Sequence, residues 1–193
     1  MAAIEKEKKY TADEFLAMTD LPERCELING VIYYFDEDVV EMSAAPNTIH
    51  QRISRRIVGI VDRYISENKG QCEVFNAPFD VKLDNNNTVQ PDILVVCDPK
   101  KIDEQKCNGS PDWIIEIVSP SSVAHDMNDK LLVYSKAGVR EYWIVDPMKE
   151  RVFVYLFGTP NITGFYTFDD DIPVGIYKDA PKPLSIRISE ILA

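Results

Sequence analysis

Two acids in this sequence stand where acids are costly. Residues 93–97 (ILVVC) and 113–118 (WIIEIV) are short apolar runs with the length and β-branched content of buried strands. Asp92 opens the first run, and Glu116 interrupts the second between Ile115 and Ile117. Ionised carboxylates are almost never fully buried unless they are paired or bound to a metal. Two of them on adjacent buried strands point to a divalent cation, Mg²⁺ or Mn²⁺. Magnesium keeps several waters, so two carboxylates suffice to hold it. A third group follows in residues 126–136, which read as a helix. At about 100° per residue, Met127, Leu131 and Tyr134 form its apolar face, and Lys130 falls on that same face. A lysine so placed either snorkels past the core or aims its ammonium at negative charge. Two carboxylates, a metal-activated water and a neighbouring ammonium are the parts that phosphodiester hydrolysis requires. Asp92, Glu116 and Lys130 are therefore the candidate catalytic set, with Asp92 and Glu116 as the metal ligands. Gln90 is placed to orient the site from its edge. Asp126 and Tyr134, one turn either side of Lys130, are candidate supporting groups. The bland alternative is a buried Glu116–Lys130 salt bridge that holds no metal.

The elements that must position these residues are legible in outline. Thr11 with Glu14 three residues on forms a capping box that opens a short helix to about Met18. Residues 25–28 and 31–35 flank Asn29-Gly30, a strong hairpin signal, and residues 39–42 could add a third strand. Glu26 on the first of these is either an exposed strand acid or part of the site. Residues 47–68 carry Ile49, Ile53, Ile57, Ile60, Val61 and Tyr64 at three- and four-residue steps, the pattern of a long amphipathic helix, with Gly70 as its stop. Arg52, Arg55, Arg56 and Arg63 make it the most basic segment of the chain; they are either an ordinary solvated face or a phosphate-contacting surface. His50 lies in its first turn. Residues 71–75 and 79–83 read as strands, Asn85-Asn86-Asn87 as a turn, and residues 98–110 as a polar loop. Residues 141–146 and 151–157 form another strand pair, followed by segments at 164–168 and 184–192.

Composition bounds the rest. At 193 residues, 45% hydrophobic and 27% charged, the chain is expected to form one globular domain, residues 1–193, with residues 1–9 frayed. No apolar run approaches a membrane span and no secretory leader is visible, so no membrane association and a cytoplasmic location are expected. Cys25, Cys72, Cys97 and Cys107 show no CxxC spacing and are expected as reduced thiols; with only two histidines, a zinc site is disfavoured. The net charge of −11 opposes broad affinity for nucleic acid, whose binding draws most of its strength from lysine and arginine.

Pro91-Asp92 followed by Glu116-Ile117-Val118 resembles the PD-(D/E)XK nuclease superfamily. Val118 stands where that motif has its lysine. This departure itself resembles the Uma-type endonuclease family, in which the lysine comes from the next helix, here Lys130. CELINGVI, the helix opening with His50, EIVSPSS and AGVREYWIVDP carry the likeness across nearly the whole chain. The resemblance implies an α/β (α+β) fold with a restriction-endonuclease-like core, a mixed sheet flanked by helices with extra hairpin strands. It implies a Mg²⁺- or Mn²⁺-dependent endonuclease acting on nucleic acid, DNA foremost. It also implies site-adjacent roles for Glu26 and His50, and a homodimer. The aromatic residues Tyr142, Trp143, Phe153, Tyr155 and Phe157 offer apolar surface for such a dimer. The alternative is a non-catalytic binding or assembly protein that keeps the nuclease fold.

Overall fold

The structure, a computed structural model, describes residues 8–22, 25–34, 47–119, 126–158 and 162–193. In chain order it begins with α1 (Ala12–Leu16), the hairpin β1 (Cys25–Ile28) and β2 (Val31–Tyr34), and the long helix α2 (Thr48–Glu67). Next come β3 (Glu73–Asn76), β4 (Asp80–Asp84), β5 (Asn87–Val89), β6 (Ile93–Val96), β7 (Lys106–Asn108) and β8 (Trp113–Ile117). A π-helical turn, Asp126–Lys130, runs straight into α3 (Leu131–Ala137). The chain closes with β9 (Glu141–Asp146), β10 (Arg151–Leu156), β11 (Ile162–Thr167), β12 (Ile172–Pro173), β13 (Ser185–Ile186) and α4 (Ile188–Leu192).

A six-stranded sheet in the order β11-β10-β9-β8-β6-β3 carries the core. Its β8–β9 pair is parallel and the others are antiparallel, so the sheet is mixed, as expected. All five residues of β8 and all six of β9 are buried because both faces of the sheet are covered. Ile115, Ile117, Trp143 and Val145 face the layer of α2 and α4, while Ile114, Tyr142 and Ile144 face the opposite layer. That opposite layer is α3 together with a five-stranded sheet, β2-β1-β5-β4-β7. The chain crosses between the sheets where β5 leads through Gln90, Pro91 and Asp92 into β6.

Local signals explain the elements. Asn47 caps α2 by accepting the His50 amide at 2.9 Å, and Ile53, Ile57, Val61 and Ile65 bury one stripe of it. It ends at Asn68 as expected; Lys69 then takes the left-handed conformation at φ 51°, and the Gly70 amide closes back on the Ile65 carbonyl at 2.9 Å. Asn29 and Gly30 have φ of 52° and 81°, as the hairpin turn demands. A Cβ on Gly30 would also meet the Tyr10 carbonyl at 3.2 Å.

Other expectations need correction. Asn87 belongs to β5, a short strand that pairs with both β1 and β4, and not to a turn. The loop at 98–110 contains β7, which pairs in parallel with β4. Cys72 and Cys97 are joined in a disulfide, against the expectation of four reduced thiols; Cys25 and Cys107 are free and buried. The register explains the pairing, since β3 and β6 align Glu73 with Val96 and so bring the next pair, Cys72 and Cys97, opposite each other. Tyr142 and Trp143 are fully buried and so belong to the core, not to a surface. Residues 1–7, Phe35, the suggested strand at 39–42 and Pro120-Ser121-Ser122 lie outside the described residues. Among the described residues no helix is long and apolar enough to cross a membrane.

Candidate active site at the junction of the two sheets

The antiparallel register that sets Ile93 against Ile115 brings Asp92 beside Glu116. The two are joined crosswise through backbone amides. The Ile117 amide donates to Asp92 Oδ2 at 2.8 Å, and the Asp92 amide approaches Glu116 Oε2 at 3.3 Å. Both acids project to the same side of the six-stranded sheet as Ile114 and Leu94, toward the five-stranded sheet. Glu26 of β1 comes from that second sheet and is buried, which decides between its two readings: it is no exposed strand acid.

Lys130 bridges the sheets. Its Nζ lies 2.9 Å from Glu26 Oε1, 3.0 Å from Glu116 Oε1 and 3.3 Å from Asp126 Oδ1, and its side chain is only 4% exposed. The Tyr134 hydroxyl donates to Glu116 Oε1 at 2.9 Å. Glu116 therefore has one oxygen saturated by Lys130 and Tyr134, and the other turned toward Asp92. The helical phase anticipated Lys130 and Tyr134 on one face. The local backbone is wider than expected, a π-helical turn, and it keeps Asp126 and Lys130 on the same side. Such turns recur at functional sites.

His50, from the first turn of α2, places Nε2 3.0 Å from Asp92 Oδ2. Asp92 Oδ2 thus takes two donors, while Oδ1 has no hydrogen-bond partner among the described residues. Gln90 departs from expectation. Its backbone amide donates to Glu26 Oε1 at 2.9 Å, but its side-chain amide turns to Asp80 Oδ1 at 2.9 Å and not to the acid pair. No local pattern marks Asp80, nor the Tyr142 hydroxyl that donates to the Asp126 carbonyl at 3.1 Å.

The electrostatics follow from burial. Desolvation drives the Glu116 carboxyl well above its ordinary 4.5; Lys130 opposes this, and Asp126, Asp92 and Glu26 reinforce it. Burial alone would lower the Lys130 ammonium, but Glu116, Glu26 and Asp126 outweigh it and hold the lysine well above 10.5. Burial also raises the Tyr134 and Tyr142 phenols well above 10.0. Both phenols stay protonated and can only donate to their acid or carbonyl partners.

Four buried acids, Glu26, Asp92, Glu116 and Asp126, thus share one buried lysine and a half-buried histidine. Negative charge is in excess, and a divalent cation is the group that would balance it. Among the described residues no group of three or more His, Cys, Asp or Glu side chains is arranged to hold a metal. The donor set still fits an ion that is content with two carboxylates and water: Asp92 Oδ1 and Glu116 Oε2 are hard oxygens on neighbouring strands, each left to one side by the donors on its twin.

A mixed sheet between helices, with paired acids at a strand junction, is the architecture of the restriction-endonuclease-like proteins, a class that generally uses divalent metals. The chain aligns over 94% of its length, and 96% of the other, with a crystal structure described as that of a putative nuclease belonging to DUF820 from Anabaena variabilis ATCC 29413, with a TM-score of 0.73 and 22% identity. The chain belongs to the Uma2 family, described as "Putative restriction endonuclease", whose model matches residues 12–167. It is also 26% identical over 124 residues to an "Uncharacterized protein slr1290" from Synechocystis sp. (strain ATCC 27184 / PCC 6803 / Kazusa). The match covers 63% of this chain and 64% of that protein, a little under two thirds of its length.

Proposed function

We propose that this chain is a metal-dependent endonuclease that hydrolyses phosphodiester bonds of nucleic acid, DNA foremost, and that its 193 residues act as one domain. The observation that carries the reading is the crosswise pairing of Asp92 and Glu116 at the sheet junction, with Lys130 held on Glu116. Asp92 and Glu116 would hold Mg²⁺ or Mn²⁺, which when bound supplies a polarised phosphoryl oxygen and a water of lowered pKa. Lys130 is the permanent cation beside them, placed to stabilise negative charge that builds on the phosphorus oxygens. Tyr134 and Asp126 keep Glu116 and Lys130 in place. Glu26, whose Oε1 accepts both Lys130 and the Gln90 amide, ties the lysine to the crossing strand.

A second reading has its own support. Lys130 reaches three acids within 3.3 Å, so the cluster could be a structural ion network in a protein that binds or assembles without catalysis. Metal binding separates the two. Calorimetric titration with Mn²⁺ should give saturable binding that Asp92→Asn abolishes, and Mn²⁺ should support plasmid nicking that chelation stops. Asp92→Asn should slow nicking by about 100-fold or more. Equal Mn²⁺ binding by wild type and Asp92→Asn would favour the structural reading. A homodimer is also proposed. Phe153, Tyr155 and Phe157 are half-buried on the outer part of the large sheet and Phe165 is 54% exposed beside them, an apolar surface suited to a second copy. A sedimentation mass that stays at the 22.0 kDa monomer across concentration would reject it.

A further inference from the structure

As a metal ligand, Asp92 has one oxygen already engaged and one left for a cation. Both hydrogen bonds made by this carboxylate fall on Oδ2. One comes from the Ile117 amide at 2.8 Å, a donor fixed by β8, and the other from His50 Nε2 at 3.0 Å, a donor fixed by the first turn of α2. The Asp92 backbone is held, its carbonyl accepting the Ala77 amide at 3.1 Å and its amide approaching Glu116 at 3.3 Å, but a carboxylate held by one amide alone can pivot about that bond. A second donor arriving from another layer removes the pivot. Because a carboxylate oxygen only accepts here, Nε2 must carry the hydrogen. The other ring nitrogen, Nδ1, is buried and has no hydrogen-bond partner, so the Asp92 contact is the polar interaction that fixes the ring. The Asn47 side chain secures the backbone of the same turn by accepting the His50 amide at 2.9 Å.

We propose that His50 is a positioning residue: it locks the Asp92 carboxylate so that Oδ1 faces the divalent cation. The proposal rests on the metal-dependent reading given above. It assigns His50 neither a proton-transfer step nor a contact with the scissile phosphate. Groups that orient a metal ligand from behind typically contribute 10–100-fold in metal affinity. The loss of His50 should therefore appear as weakened binding, and saturating metal should recover the rate.

The test uses the full chain and Mn²⁺ itself. Calorimetry should give a Kd about 10–100-fold weaker for His50→Leu than for wild type. His50→Gln should recover most of that affinity, because a glutamine amide nitrogen can reach the position of Nε2 and donate to Oδ2. In plasmid nicking, His50→Leu should raise the half-saturating Mn²⁺ concentration by a similar factor while the rate at saturating Mn²⁺ stays within about threefold of wild type. Melting with a chelator present reports whether each variant is folded; His50→Gln keeps the proposal testable if His50→Leu is not. A His50→Leu variant with unchanged Mn²⁺ affinity overturns the proposal while leaving the metal site intact. So does unchanged affinity with a collapsed saturated rate, which would make the imidazole a participant in the chemistry. Failure of wild type to bind Mn²⁺ at all overturns the metal-dependent reading, and this proposal with it.

Discussion

Replacing Lys130 by methionine keeps much of the stem and removes the ammonium that Glu26, Glu116 and Asp126 share at 2.9, 3.0 and 3.3 Å. Breaking a buried pair from one side costs about 3–5 kcal/mol, since the partner charge is left without compensation. For a chain of this size each kcal/mol moves the melting temperature by roughly 2–4 °C, so a fall of about 6–20 °C is expected in metal-free buffer. Such a loss is a large share of the ~5–15 kcal/mol that holds a typical domain together.

The pH dependence has a definite sign. The Glu116 carboxyl is already raised above 4.5 by burial, and Lys130 is the group that pulls it back. Without Lys130 it rises further. An acid whose folded pKa exceeds its unfolded value is stabilised in its protonated form by folding. The variant should therefore regain stability as pH falls toward 4.5 and lose it as pH rises. Wild type should follow the same trend more weakly, because its own Glu116 carboxyl is raised too, and should show a separate loss above about pH 10.5, because a raised lysine contributes stability fully below its unfolded value and gives it up as pH climbs through the folded one. Mn²⁺ should restore part of the variant's stability by replacing the lost charge. Thermal melts between pH 5 and 8, with chelator and with Mn²⁺, test the variant, and wild-type melts carried to pH 11 test the lysine. A Lys130→Met melt within about 2 °C of wild type at pH 7.5 would refute the charge reasoning.

Three further outcomes follow from the geometry. Thiol titration of the unfolded, unreduced protein should find two free thiols and not four, and Cys97→Ser should cost about 3 kcal/mol, the chain-entropy value for a loop of this order; four titratable thiols in oxygenated buffer would remove the Cys72–Cys97 bond. Burial pushes the Cys107 thiol up to about 11, so iodoacetamide at pH 9 should modify it in the folded protein at least tenfold more slowly than after unfolding, and equal rates would contradict its burial. Glu141→Ala removes the acceptor of the Gly175 and Ile176 amides and of the Trp143 indole, so hydrogen exchange at Gly175 and Ile176 should accelerate by at least tenfold, with about 2–4 kcal/mol lost overall; unchanged protection would mean that the carboxylate does not pin the C-terminal segment.

What the sequence disclosed and what it withheld divide along physical lines. Asp92, Glu116 and Lys130 were legible because each violates a strong local rule, a charge on an otherwise apolar strand or helix face, and such violations have few explanations. The ends of α2 at Asn47 and Asn68 were legible because capping and periodicity are local. Glu26 stayed ambiguous because alternation tells which residues share a face but not whether both faces are covered, and β1 is buried on all four residues. The short strands β5 and β7 were hidden because three residues carry almost no periodicity, and their pairing with β4 supplies what their propensity lacks. The Cys72–Cys97 bond depends on the register between β3 and β6, which spacing alone cannot give. The turn of the Gln90 amide toward Asp80 depends on a second sheet that no local pattern announces.

The −11 charge of the chain takes on a more particular meaning at this site. Arg52, Arg55 and Arg63 are exposed and have no ion-pair partner among the described residues. By helical phase, however, they lie on the side of α2 opposite Ile53, Ile57 and Val61, whereas His50 faces inward to Asp92. They point away from Asp92 and Glu116, so a long polyanion would meet them as it passed over the outside of the helix. These arginines therefore face away from the site that would take the reacting phosphate. The buried acids would repel it, and Lys130 is already engaged with three of them. The local charge balance can favour an anion only after a divalent cation has joined Asp92 and Glu116. On the metal-dependent reading, cation binding therefore precedes productive phosphate binding, and nucleic-acid affinity measured in chelator should report only the outer, salt-sensitive contacts.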